Sequence, residues 1–267
     1  MKKIALIPTL FTLGNGVCGF ASLTFAIKAA VDPPGLNHLA TAGWLVLAAM
    51  LFDLLDGHMA RFAKSTTDFG GQLDSLCDVI SFGVAPGFLI LHLSADFHPR
   101  VLWVIAVLYV LCVLLRLARF NCENTHELTG HLTFAGLPSP AAGGTIAAFA
   151  IMLHAVSGDP DSVGLIPPLV DAVAPFLEVA KIFVPLMAAT MALLMVSRIP
   201  YPHVLNQMAV GHHSFGHLVR LIFAGVTIML IQELALPLLF SVFVLGAPLR
   251  FIWEDLVRRR PREQPLY

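Results

Sequence analysis

The chain has 267 residues, 57% of them from the set AVILMFWYC and only 12% charged, against about 25% charged in an ordinary soluble domain. Sixteen Lys and Arg against 17 Asp and Glu leave a net charge of −1, so no overall field draws the chain to nucleic acid. Cys18, Cys77, Cys112 and Cys122 form no C-x-x-C pair, which excludes a disulfide scaffold and a cysteine zinc site. With a mean hydropathy of +0.81, the composition is that of a polytopic membrane protein.

A helix needs about 20 mostly apolar residues to cross a bilayer. Segments of that kind run over 8–30, 39–61, 70–93, 99–119, 138–156, 177–197, 216–232 and 235–252. The expected fold is all-α: a transmembrane helix bundle of eight spans in a single integral-membrane domain, 1–267. Six or seven spans are the alternatives, because the last two segments are short and separated only by Glu233 and Leu234. Lys2 and Lys3 before an apolar run imitate a secretory signal, but Pro8, Gly14, Asn15, Gly16 and Gly19 interrupt the compact apolar core that such a signal needs. The first segment therefore reads as a retained helix. The longest outer loop, about 157–175, is rich in Gly, Pro and Asp and reads as a simple connection.

Positive charge sets the orientation. With the N-terminus inside, alternating span ends put Lys2, Lys3, Arg61, Lys64, Arg116, Arg119, Arg198, Arg220, Arg250, Arg258, Arg259, Arg260 and Arg262 on the cytoplasmic side, and only Lys28, Arg100 and Lys181 outside. Both termini are then cytoplasmic, and the Arg258–Arg262 run reads as an anchor on anionic lipid. Trp44, Trp103 and Trp253 fall near span ends, as interfacial residues do. The eleven histidines show no metal-ligand spacing and read as polar boundary residues. Glu178 and Lys181, three apart near the outer face, read as a local ion pair.

Carboxylates at membrane depth are expensive and mark function by default. The segment 51–78 reads LFDLLDGHMARFAKSTTDFGGQLDSLCD and holds Asp53, Asp56, Asp68, Asp74 and Asp78. Asp53 and Asp56 (i, i+3) share one face at the end of the second span; Asp74 and Asp78 (i, i+4) share one at the start of the third. The short polar turn between them predicts antiparallel neighbours, so that four carboxylates converge just inside the cytoplasmic boundary. They would repel strongly unless protonated or neutralised, and Arg61 offers one positive charge. Charge counting alone leaves two readings open. One is a site for a hard divalent cation with room for water and phosphate; the other is a proton or cation pathway.

The detailed spacing is Asp53-x-x-Asp56-Gly57-x-x-Ala60-Arg61-x8-Gly70-x-x-x-Asp74-x-x-x-Asp78. Eight specified residues match a given start by chance about 10⁻¹⁰ of the time. The pattern resembles the signature of the CDP-alcohol phosphotransferase family. The resemblance implies a membrane enzyme that cleaves the pyrophosphate of CDP-diacylglycerol and transfers the phosphatidyl part to an alcohol. It implies Asp53, Asp56 and Asp74 as ligands of Mg²⁺ or Mn²⁺ in a two-metal site, with Asp78 completing that site and acting as general base. Gly57, Ala60 and Arg61 would hold the CMP portion. Gly70 would admit close approach there, and Thr12, in the family-like stretch Pro8-Thr9-x-x-Thr12-x-x-Asn15, would contact the nucleotide; Thr9 stands where the family commonly has Asn. A homodimer in a bacterial cytoplasmic membrane, its active site facing the cytoplasm, follows from the same resemblance and from the compact chain.

The signature does not select the acceptor. Arg116-Leu117-Ala118-Arg119-Phe120-Asn121 and Phe134-x-Gly136-Leu137-Pro138-Ser139-Pro140-Ala141-Ala142 resemble segments of integral-membrane enzymes of this family that use L-serine. An arginine fork suits the carboxylate of an amino acid. Arg116 and Arg119 are i, i+3, and Asn121 can accept from an ammonium group. The same arginines also satisfy the orientation rule, and Pro138 and Pro140 suit a helix start. The catalytic helices are expected within 1–155, with additional spans and a basic tail over 156–267. The alternatives are an acceptor such as glycerol 3-phosphate, an inositol phosphate or choline, and a cation or proton transporter, which often shows inverted repeats not found here.

Overall fold

The computed structural model describes residues 6–31, 35–62, 68–94, 97–124, 136–157, 167–199, 201 and 232–258. All regular elements among them are helical: α1 (Leu6–Val31), α2 (Leu36–Phe62), α3 (Asp68–Asp78), a π-helical segment (Val79–Val84), α4 (Ala85–Leu93), α5 (Pro99–Asn124), α6 (Ser139–Ser157), α7 (Pro167–Val196) and α8 (Gln232–Arg258). Five stretches are long and apolar enough to cross a membrane: Pro8–Val31, Leu36–Met59, Phe69–Leu93, Pro99–Cys122 and Ser139–Ser157. They match the first five expected spans. Ile182–Val196 and Ala235–Phe251 are shorter apolar helices at the sixth and eighth expected positions. The seventh, 216–232, lies outside the described residues apart from Gln232, as do the terminal charges Lys2, Lys3 and Arg259–Arg262. The side chains of Glu178 and Lys181 are outside the description too.

One boundary differs from expectation. The stretch 157–175 was expected to be a connection throughout, yet α7 is helical from Pro167. Paired prolines at a helix start lose no intrahelical hydrogen bond, because the first N–H groups have no partner within the helix.

At the centre lies α6, packed against α2, α4, α7, α8 and the π segment, with almost every residue buried. Its sequence explains this position: Ala141, Ala142, Gly143, Gly144 and Ala147 let neighbouring backbones come close, as helices in lipid require. A Cβ on Gly43 of α2 would meet the Ala147 carbonyl oxygen at 2.7 Å. By contrast α1 and α5 expose Leu10, Val17, Phe20, Trp103 and Leu115, apolar surface of the kind a bilayer covers.

Polar side chains inside the bundle fasten helices to one another. Ser22 Oγ in α1 donates to Ala42 O of α2 at 2.8 Å, and Ser81 Oγ in the π segment donates to Asn15 O of α1 at 2.9 Å. A π segment interrupts the i to i−4 ladder, and the carbonyl of Phe82 within it accepts from the fully buried Tyr109 hydroxyl at 3.0 Å. α1 comes close to this segment at Gly19, where an added Cβ would fall 2.7 Å from Ser81 Cα and against its Oγ. Because backbone is involved, no rotamer change relieves that clash. Gly19→Ala is therefore expected to destabilise the bundle by about 1–3 kcal/mol, seen as a lower midpoint of thermal unfolding in detergent. Gly246→Ala in α8, where an added Cβ meets nothing within 4 Å, is expected to be neutral or to stabilise by about 0.5–1 kcal/mol. Equal midpoints for the two variants would contradict the α1–Ser81 contact.

Candidate active site

The carboxylates meet across a gap rather than across a helix interface. The second and third spans were expected to lie side by side along the acidic stretch. The structure joins α2 to the third span through α4 and the π segment, while α3 leans on α1. Asp53 of α2 and Asp74 and Asp78 of α3 line one cavity there. Asp53 and Asp56 come from the last three turns of α2, and Asp74 and Asp78 from the second half of α3. Oxygens of Asp53, Asp56 and Asp74 all lie within 4.8 Å of one another.

Asp56 Oδ2 and Asp74 Oδ1 are buried with no hydrogen-bond partner among the described residues. Orphaned anionic oxygens cost several kcal/mol unless a cation answers them. An all-carboxylate set with this spacing suits a hard divalent ion, and Mg²⁺ or Mn²⁺ fits the donor chemistry. Asp56 also interacts with the Thr12 hydroxyl and with the Gly57 backbone N–H; Thr12 Oγ1 lies 3.1 Å from Pro8 O as well. Thus Thr12, expected at the nucleotide, stands beside Asp56.

Asp78 falls outside the compact group of three. It is buried, and its Oδ1 accepts from Asn15 Nδ2 at 2.9 Å. Asn15 is itself fully buried, so one polar residue of α1 fixes this carboxylate. Asp78 nonetheless faces the same cavity of about 310 Å³ as Asp53, Asp74, Arg116, Ser139 and Tyr201.

Of the residues expected to bind the acceptor, Arg116 lines this cavity, and its Nη1 donates to Ser139 Oγ at 2.8 Å. Arg119 and Asn121 are half-buried at the end of the same helix and are not among the cavity's described lining residues. The Asn121 side-chain oxygen, expected to receive an ammonium group, accepts from Ser75 Oγ at 3.1 Å. Gly57 is half-buried beside Asp56, and Gly70 is half-buried in the first turn of α3. Ala60 and Arg61 lie in the last turn of α2, but their side chains are outside the described residues.

Three site residues escaped sequence reasoning. Asn15 was read only as part of a family-like stretch, although a lone amide deep in an apolar helix signals a buried partner. Ser139 was hidden among prolines that suit a helix start. Tyr201 comes from beyond the helices expected to be catalytic; its hydroxyl donates to Val244 O of α8 at 3.0 Å, and burial pushes the phenol up to about 12.

The sequence model of the CDP-alcohol phosphatidyltransferase family matches residues 5–197, a range that holds every site residue above except Tyr201. CDP-diacylglycerol–serine O-phosphatidyltransferase of Mycobacterium tuberculosis is 34% identical over 142 residues, covering 52% of this chain and 46% of that protein. The enzyme of the same name from Helicobacter pylori is 35% identical over 143 residues, 53% of this chain and 56% of its own. Archaetidylserine synthase of Methanothermobacter thermautotrophicus is 39% identical over 153 residues, 55% of this chain and 60% of its own. The matched stretch thus spans about half the length of these curated relatives. An all-helical apolar bundle, a carboxylate cluster carrying the eight-residue signature, and a family match over most of the chain agree: this integral-membrane protein belongs to the CDP-alcohol phosphatidyltransferase family.

Proposed function

We propose that the protein transfers the phosphatidyl group of CDP-diacylglycerol to the hydroxyl of L-serine, forming phosphatidylserine and releasing CMP. The observation that carries this reading is one cavity with Asp53, Asp74 and Asp78 on its wall together with Arg116 and Ser139. A phosphoryl-transfer site needs anionic ligands for a cation and a base near the attacking oxygen. An amino-acid acceptor adds the need for a cation that receives its carboxylate. Serine is also the acceptor that the names of the three relatives share.

In this reading Asp53, Asp56 and Asp74 hold Mg²⁺ or Mn²⁺ in a two-metal arrangement that Asp78 completes. When bound, the ions offset charge on the pyrophosphate and on the departing CMP. Gly57, Ala60, Arg61, Thr12 and Gly70 cradle the nucleotide. Arg116 binds the serine carboxylate, with Arg119 and Asn121 at the rim for lipid phosphate or serine. Asp78, oriented by Asn15, takes the serine hydroxyl proton as the new P–O bond forms, and the electrons of the breaking P–O bond leave with CMP. The helices within 1–155 supply the catalytic residues, and 156–267 add further spans and the basic tail. Both termini and the site face the cytoplasm of a bacterial cell, the acyl chains stay in the bilayer, and the protein works as a homodimer.

The direct test is CMP release by purified protein in detergent, with CDP-diacylglycerol, Mn²⁺ or Mg²⁺, and a panel of acceptors. Release is expected with L-serine and not with glycerol 3-phosphate, inositol phosphate or choline, and EDTA is expected to abolish it. Metal-dependent release with another alcohol would refute serine; folded protein that releases no CMP at all would return the carboxylate cluster to ion transport. Asp78→Asn is expected to retain CDP-diacylglycerol binding but to lose about 10²–10⁴-fold in turnover. Full turnover in that variant would remove the base assignment. Arg116→Ala is expected to raise KM for serine by about tenfold or more and to change KM for the lipid less. An unchanged serine KM would leave Arg116 as a membrane-side anchor.

A further inference from the structure

Arg116 reaches the cavity with one edge already committed. Its Nη1 donates to Ser139 Oγ at 2.8 Å, whereas its buried Nε has no acceptor among the described residues. In a guanidinium the Nε–H and the neighbouring Nη2–H point the same way and form the pair that grips a carboxylate side-on. Nη1 lies outside that pair. A hydroxyl on Nη1 therefore fixes the plane of the group without using the fork that a ligand needs.

Ser139 is built to hold that position. It is fully buried at the first residue of α6, and the turn before it is fastened to the end of α7. The Gly136 N–H donates to Ile199 O at 2.9 Å, and the Leu137 N–H donates to Leu194 O at 3.1 Å. Gly136 has φ +93°, and a Cβ there would strike the Met195 carbonyl oxygen, so only glycine suits this close approach. The backbone that carries Ser139 is thus held by hydrogen bonds to carbonyls at and just beyond the end of α7. Among the described residues lining the cavity, Arg116 is also the only Lys or Arg. An amino-acid carboxylate brings one negative charge to that cation; a phosphate monoester brings nearly two.

We propose that Ser139 is the specificity-determining residue of the acceptor pocket: its hydroxyl locks the Arg116 guanidinium so that the Nε–Nη2 edge receives the carboxylate of an amino-acid acceptor. Ser139 acts through Arg116 and is a positioning residue. The inference rests on the serine reading above and adds what discriminates serine from an alcohol of the same size without a carboxylate.

The test compares L-serine with serinol, which keeps the hydroxyl and the ammonium group and replaces the carboxylate by CH2OH. Full-length protein in detergent, with CDP-diacylglycerol and Mn²⁺, gives kcat/KM for each acceptor. Ser139→Ala is expected to lower the serine-to-serinol ratio about tenfold, the worth of one hydrogen bond to a charged group, through a higher KM for serine. Ser139→Thr, which keeps the hydroxyl, is expected to restore the ratio. A Ser139→Ala ratio within about twofold of the wild type would overturn the inference, and so would loss of turnover with both acceptors alike, because a device for specificity acts on one. Failure of Thr to restore the ratio would overturn it too. Wild-type protein that does not use serine would instead defeat the acceptor assignment itself, before any variant is compared.

Discussion

Four carboxylates held at the edge of an apolar bundle impose the constraint from which the remaining architecture follows. Anionic groups at that depth must be answered by donors or cations, and each neighbouring helix supplies an answer. The Asn15 amide and the Thr12 hydroxyl come from α1, and the Arg116 guanidinium, on the same cavity, comes from α5. Among the described residues, the buried carboxylate oxygens left without partners belong to Asp56 and Asp74, both in the group of three whose oxygens lie close together. The protein's own donors thus run out where a divalent ion fits.

The rest of the cavity wall is assembled from distant parts of the sequence. The turn at Gly136 and Leu137 is pinned to the end of α7, and Tyr201 beyond it is tied to the α8 backbone at Val244. Ser139 and Tyr201 line one cavity with the acids of α2 and α3. The C-terminal helices therefore do more than fill lipid-facing volume. They fix the backbone that sets one side of the cavity, and the small residues of α6 let those backbones approach.

Much of this was legible in the sequence. The first five spans emerged from runs of apolar residues, because lipid demands length and hydrophobicity of any helix that crosses it. The carboxylates emerged because Asp53, Asp56, Asp74 and Asp78 have no place in such runs without a function. What could not be read were contacts between distant segments. Nothing local in Gly136 or Ser139 announces Leu194, Ile199 or Arg116, and the helical start at Pro167 was masked by a composition that also suits loops. Arg116 and Arg119 look equivalent as i, i+3 neighbours, yet the structure puts only the first on the cavity wall. Helical periodicity gives the face of a helix but not the depth of each residue along it.

The π segment after Asp78 has a consequence for the whole third span. A widened turn absorbs one residue more than an α-turn would, and each residue in an α-helix advances the side chain by about 100°. With that one-residue offset the face that carries Asp74 and Asp78 runs on into α4 at Ile90, which is buried in the core with Ala85 and Leu89. One continuous apolar-length span thereby carries two halves of different character, a polar one for chemistry and an apolar one packed in the core. The joint between them is braced by the Tyr109 hydroxyl on Phe82 O and by Ser81 on α1. The third span thus works as a spliced beam, in which the widened turn at the joint is held by hydrogen bonds with two other helices.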